Sequence, residues 1–158
     1  MISLVAGGLI AVAFTLVGMS INRRYKLRKE AFQTLYDFSV KLKGDISYLK
    51  TNLPTVIKNY FDGGKSLLGQ AMLKYAESPS ENFVPDISFF KDKEKKEVTK
   101  YLYAIGSLPY SESLNMTDRM IENYKQLKEK SEIEAKKLGS MYFKLLVLLG
   151  FAIMLIVS

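Results

Sequence analysis

Apolar residues mass at both ends of the chain and recur at helical spacing between them. From Ile2 through Ile21 twenty residues pass without a charge. As a helix that run spans about 30 Å, the hydrocarbon thickness of a bilayer. Beyond it, Leu27, Ala31, Leu35, Phe38, Leu42, Ile46, Leu49 and Leu53 are spaced by fours and threes, mostly fours. That stripe predicts a helix continuing to about Lys50 and burying one side in a domain core. Lys41, Lys43, Asp45 and Lys50 lie off the stripe and read as a solvated face.

Thr51-Asn52-Leu53-Pro54 breaks this helix and starts a second, with Thr51 or Asn52 as N-cap and Pro54 in the first turn. Asp62-Gly63-Gly64 ends it, glycine supplying the left-handed backbone of a C-terminal cap. A third helix is expected over about Lys65 to Ala76, with Leu67, Leu68, Ala71, Met72 and Tyr75 inward. Glu77 to Asn82 has loop chemistry, and Phe83 to Phe90, with Pro85, reads as an irregular apolar connection. The fourth helix buries Val98, Tyr101, Leu102 and Ile105 and stops at Gly106 to Pro109. Ser111 or Ser113 is the expected cap of the last helix, whose core side is Met120, Ile121, Tyr124 and Leu127. From Lys128 to Lys137 that helix is charged on most faces and is expected to project from the bundle toward the membrane.

The second apolar run, Leu145 to Val157, is thirteen residues long, about 20 Å as a helix. Adding Met141, Tyr142 and Phe143 extends it to about 25 Å, with Lys144 snorkelling to the headgroups beside an interfacial Tyr142. We expect a second span there. The fold class is all-α: a bundle of about five to six helices whose long first and last members continue into membrane-spanning segments. The expected divisions are a transmembrane helix over 1–22, a cytoplasmic helical domain over 23–140, and a second transmembrane helix over 141–158.

Charge orients this arrangement. Arg23, Arg24, Lys26, Arg28 and Lys29 form a basic collar directly after the first run. A secretory signal would carry its cations before the apolar stretch, so we read an uncleaved anchor. Cations flank the middle domain on both sides, which by the positive-inside tendency puts it in the cytoplasm and both termini outside. The formal net charge is +7, and the collar supplies much of the excess. Lysine outnumbers arginine 19 to 4, a bulk bias more than a phosphate-reading surface. The mixed-sign run Lys91, Asp92, Lys93, Glu94, Lys95, Lys96, Glu97 and Lys100 reads as a solvated helix face.

Candidate chemistry is sparse. The chain has no cysteine and no histidine, which removes disulfides, thiol and imidazole catalysis, and nearly all zinc and haem sites. Gly63-Gly64-Lys65-Ser66 resembles the end of a phosphate-binding loop, but Asn59 stands where that pattern needs its first glycine. Asp45 or Glu112 with Tyr48 is the best acid–base combination available, and each has an ordinary surface reading. We expect no catalytic residue, no metal and no cofactor. Ser3, Gly7, Ala11 and Thr15 recur every four residues, a small-residue face suited to close helix packing in lipid.

Asp45-Ile46-Ser47-Tyr48 followed by Thr51-Asn52-Leu53-Pro54-Thr55-Val56-Ile57 resembles the stage III sporulation protein AB family. That family has an N-terminal anchor, an arginine pair, an acidic-Ile-x-Tyr segment leading to Thr-Pro-Leu-Pro, a Gly-x-x-Leu-Gly stretch and a C-terminal apolar run entered by Tyr. Arg23-Arg24, Gly106-Ser107-Leu108-Pro109 and Tyr142 to Gly150 fall in the corresponding places. Asn52 stands where proline is usual, Pro109 where glycine is usual, and Glu112 near an expected aspartate. The structural positions carried by the resemblance are Asp45, Ile46, Tyr48, Thr51, Leu53, Pro54, Gly106 and Leu108.

The resemblance implies a likeness to the cytoplasmic domains of the type II secretion inner-membrane platform protein. It implies a non-enzymatic, multi-pass subunit of the mother cell–forespore channel, in the mother-cell membrane facing the forespore. It also implies partners, a secretion-type ATPase (stage III sporulation protein AA) and other channel subunits; association with further copies of the chain is a separate expectation. The alternative expectation is a membrane-tethered binder of anionic lipid or nucleic acid using the basic collar, though we expect no nucleic acid partner.

Overall fold

The computed structural model describes residues 2–49 and 52–157, and the side chains of Ile2, Ser3, Leu4, Tyr48, Leu49 and Val157 are outside the description. The fold is all-α, with no strand among the described residues. Helix α1 covers Ile2–Gly44 and passes into a π-helical turn over Asp45–Leu49. Helix α2 covers Leu53–Phe61 and starts at Asn52, whose Oδ1 accepts from the Thr55 amide at 3.1 Å. Thr51, the other expected cap, lies outside the described residues. Gly63, at φ +67°, takes the left-handed backbone that closes this helix.

Helix α3 covers Leu67–Glu77 and begins later than its composition suggested, because the Ser66 hydroxyl caps it by accepting from the Gly69 amide at 3.0 Å. Leu68, Ala71, Met72 and Tyr75 then share the buried face. Leu67, expected on that face, is about 100° away around the helix and is 45% exposed.

Helix α4 covers Asp92–Ser107, and its first turn is closed by Glu94, whose carboxylate accepts from the Lys91 amide at 2.9 Å. Lys91, Lys93, Lys96 and Lys100 are exposed, as a solvated face requires. Helix α5 covers Tyr110–Glu134, a π-helical turn follows over Ala135–Gly139, and helix α6 covers Ser140–Val157.

Neither serine expected to cap the last long helix does so. The helix already begins at Tyr110, directly after Pro109, and Ser113 is inside it. The Ser113 hydroxyl reaches back to the carbonyls of Ile105 and Leu108, each at 3.0 Å. It satisfies the orphan acceptors at the end of α4 instead of donors at the start of α5.

The chain divides into two compact units. One comprises Ala31–Lys128, the other Met1–Glu30 with Glu129–Ser158. The first is a helical bundle with an aromatic core. Phe32 stacks on Phe90 with ring centres 4.7 Å apart, and Phe38 meets Phe61 at 5.3 Å. Ala31, Leu35, Phe38, Leu42 and Ile46 are all buried, so this part of the predicted stripe is core. The irregular connection is held by Thr99, whose hydroxyl donates to the Phe83 carbonyl at 2.7 Å. Tyr124 is buried beside Tyr101, with ring centres 5.9 Å apart, and its hydroxyl finds no partner among the described residues.

The second unit is an antiparallel pair made by the first part of α1 with α6 and the turns preceding it. Its helices meet at glycines. A Cβ added to Gly7 would lie 3.2 Å from Met154, one on Gly18 3.2 Å from Phe143, and one on Gly139 2.9 Å from Asn22. A Cβ on Gly150 would lie 3.1 Å from Phe14 and 3.2 Å from the Ala11 backbone. Positions that climb along α1 thus meet positions that descend along α6, with a bulky side chain of one helix seated over a glycine of the other. Two helices, Val5–Ser47 and Tyr110–Ile156, are long and apolar enough to cross a membrane.

Gly150→Ala forces backbone apart and is expected to cost about 1–3 kcal/mol. Gly8→Ala, with open space around the new methyl, is expected to be neutral or stabilising. Helix content followed against temperature in mild detergent separates the two. Burial also sets an alkaline limit. It pushes Tyr75 up from 10.0 to about 12, and raises Tyr124 further with help from Tyr101 and Glu97. Above pH 10 the unfolded chain sheds protons that the folded chain keeps, so stability falls as pH rises through that range. Tyr124→Phe removes an unpartnered hydroxyl and should be tolerated at pH 7. It should also make the decline above pH 10 shallower by about 1.4 kcal/mol per pH unit, readable from unfolding midpoints at pH 9 to 11.

Candidate functional site

Within the unit Ala31–Lys128, four segments distant in sequence converge. They are the π-helical turn at the end of α1, the start of α2, the end of α4 and the start of α5. Each ends or begins where its own signals dictate: Asn52 caps α2, Ser113 ties off α4, and Pro109 precedes α5. Their meeting leaves a largely apolar groove of about 500 Å³ lined by Ile46, Asn52, Leu53, Pro54, Ile105, Gly106, Tyr110 and Ser113.

Ile46, Leu53 and Ile105 form its buried floor. Tyr110 is 50% exposed on the rim and its hydroxyl donates to the Ser47 carbonyl at 3.2 Å, fastening α5 to the π-helical turn. Gly106 leaves the wall thin, since a Cβ there would reach the Leu53 side chain at 3.6 Å, ordinary contact. Such a surface offers shape and apolar area with few polar anchors, which suits a protein side chain more than a small polar substrate.

Four of the residues singled out by the family resemblance therefore gather here: Ile46, Leu53, Pro54 and Gly106. Leu108 is half-buried at the end of α4. Asp45 is half-buried and paired with Lys41 at 3.5 Å. The Tyr48 side chain and Thr51 fall outside the described residues. Ser113 and Tyr110 are the functional-site residues that sequence reasoning missed. Their roles rest on carbonyls of other segments, which no local spacing reveals.

Of the supposed acid–base combination, Asp45 is engaged by Lys41 and Glu112 is exposed on α5, while the Tyr48 side chain lies outside the description. Among the described residues no group of three or more potential ligands could hold a metal ion.

The small-residue face and the collar belong to the other unit. Gly7 and Ala11 face α6 of the same chain, so this part of the stripe is filled internally. Thr15 donates its hydroxyl to the Ala11 carbonyl at 2.9 Å, and the Ser3 side chain is outside the description. In the collar, Arg23, Arg24 and Lys26 are exposed. Arg28, unlike those three, is buried. It is 7% exposed and donates from Nη1 to Glu134 Oε2, because a guanidinium held between two packed helices needs a carboxylate there. Lys29 approaches Glu132 at 3.8 Å.

A family model described as Stage III sporulation protein AB matches residues 3–158. No curated protein and no solved structure matches.

Ser113→Ala should leave the carbonyls of Ile105 and Leu108 short of a donor and destabilise the protein by about 1–3 kcal/mol. A lowered denaturation midpoint in detergent checks this. Ser111→Ala, at an exposed position, should change it by no more than about 0.5 kcal/mol.

Proposed function

The chain belongs to the stage III sporulation protein AB family, and from that premise we propose that it is a non-enzymatic membrane platform. Its two long apolar helices anchor it, and its bundle offers a face to a cytoplasmic partner. On this reading the partner is the secretion-type ATPase implied by the resemblance, stage III sporulation protein AA, and the wider assembly is the channel between mother cell and forespore. The bundle lies on the cytoplasmic side and both termini lie outside, following the distribution of cations.

The observation that carries the reading is the convergence of Ile46, Leu53, Pro54 and Gly106 on one apolar groove. A groove of this kind is a place to dock an apolar or aromatic anchor of another protein, and such anchors carry most of the energy of an interface. On this reading the chain transmits force and does not itself transform a substrate. Work done by the ATPase would be passed on to the helices in the membrane.

The test is affinity purification from sporulating cells. The wild-type chain should recover the ATPase, and Gly106→Trp, which fills the groove from an exposed position, should lower that recovery at least tenfold. It should leave helix content and membrane location unchanged. Recovery of other channel proteins without the ATPase, or equal recovery by the filled variant, would refute the docking claim.

A further inference from the structure

The positive charge of this protein is segregated to an unusual degree. Residues 1–29 and 135–158 hold eight lysines and arginines and no aspartate or glutamate. The remaining 15 cations and 16 carboxylates lie between Glu30 and Glu134, so the two terminal stretches carry +8 and the middle of the chain −1.

The structure shows how the boundary works. Glu134 takes Arg28, and Glu132 faces both Lys29 at 3.8 Å and Lys136 at 3.1 Å. Those two carboxylates are the last before the apolar stretch. Past them Arg23, Lys26, Lys137 and Lys144 are all exposed, and among the described residues no carboxylate reaches them.

Lys144 lies deepest. Its neighbour Phe143 packs at Gly18, which places Lys144, one residue further along α6, about 9 Å beyond Arg23 toward the apolar end, at 1.5 Å per residue. Around it on α6 are the exposed Met141, Leu145 and Leu148. An ammonium held there in hydrocarbon is costly. However, side chains on a helix lean toward its N-terminus, which for α6 is the end beside Asn22 and Tyr25. The four-methylene stem then lies along apolar surface while the charge rises to the collar. Tyr142, 42% exposed, sits beside it with an amphipathic ring suited to the same layer.

We propose that Arg23, Lys26, Lys137 and Lys144 together form a binding site for anionic phospholipid headgroups, with Lys144 as its innermost ligand. The inference rests on the reading of α1 and α6 as membrane spans. The ligand must place negative charge within a few ångströms of hydrocarbon, which a free phosphate or a soluble acidic peptide does not do. A phospholipid bearing net negative charge does. Its phosphate meets the ammonium and guanidinium groups, and its acyl chains cover Leu145 and Leu148.

The full-length chain, inserted in nanodiscs of mixed phosphatidylcholine and phosphatidylglycerol, provides the test, with retained lipid counted by native mass spectrometry. Phosphatidylglycerol should be retained in preference. Lys144→Leu should reduce that preference about fivefold, the effect of one cation near a lipid surface. Arg23→Gln with Lys26→Gln should reduce it further without touching residue 144. Lys93→Gln with Lys96→Gln, on the other unit, should not change it.

Equal retention of the two lipids by the wild-type chain overturns the proposal. So does an unchanged preference in Lys144→Leu, including the case where that variant instead loses a co-purifying membrane protein, which would assign Lys144 to an acid in a neighbouring span. A chain that does not enter nanodiscs refutes the spanning reading itself, a failure distinguishable from loss of lipid preference.

Discussion

Close approach of two apolar helices is the constraint on which the terminal unit depends. On the proposed reading of these helices as membrane spans, apolar side chains gain nothing by leaving hydrocarbon, so association comes from packing and from the few polar contacts made. Glycine supplies the packing. Met154 over Gly7, Phe14 over Gly150, Phe143 over Gly18 and Asn22 over Gly139 are four places where one backbone nears the other. Beyond the last of them Arg28 meets Glu134. A buried ion pair is weak evidence of stability, because desolvation cancels much of its attraction. It is better regarded as a mark of register, since a slip between the helices would strand a guanidinium without its carboxylate.

Much of this was legible in the sequence, but at one scale only. Features decided within one helix turn came through: the apolar stripe from Ala31 to Ile46, Asn52 as a cap, Gly63 as a stop, and the exposed lysines of α4. Features decided by a residue far away did not. Arg28 looked like one more cation of the collar because its partner is 106 positions on. Ser113 looked like a cap for its own helix because nothing local reveals the carbonyls of Ile105 and Leu108. Leu67 misled because it neighbours the buried Leu68 in sequence but sits about 100° away around the helix.

The groove was readable only in pieces. Four of its residues, Ile46, Leu53, Pro54 and Gly106, were picked out by resemblance in separate motifs, and folding brings them together. Three of its four segments are helix ends and the fourth is a π-helical turn, where backbone departs from regular geometry and side chains are placed by caps instead of periodicity. Such places are where a small helical domain can present shape without opening its core. Phe32, Phe38 and Tyr124 of the aromatic centre do not line the groove.

The glycines carry one more implication. Gly7 and Gly18 are eleven residues apart, and so are Gly139 and Gly150. Eleven residues in three turns is about 3.67 per turn, slightly more than a straight helix provides. Gly7 and Phe14, however, are seven residues apart, as are Phe143 and Gly150, so the same seam carries the seven-residue interval as well. With both intervals present the repeat prescribes no supercoil sense. What the four glycines specify is where the two backbones touch, not which way the pair winds.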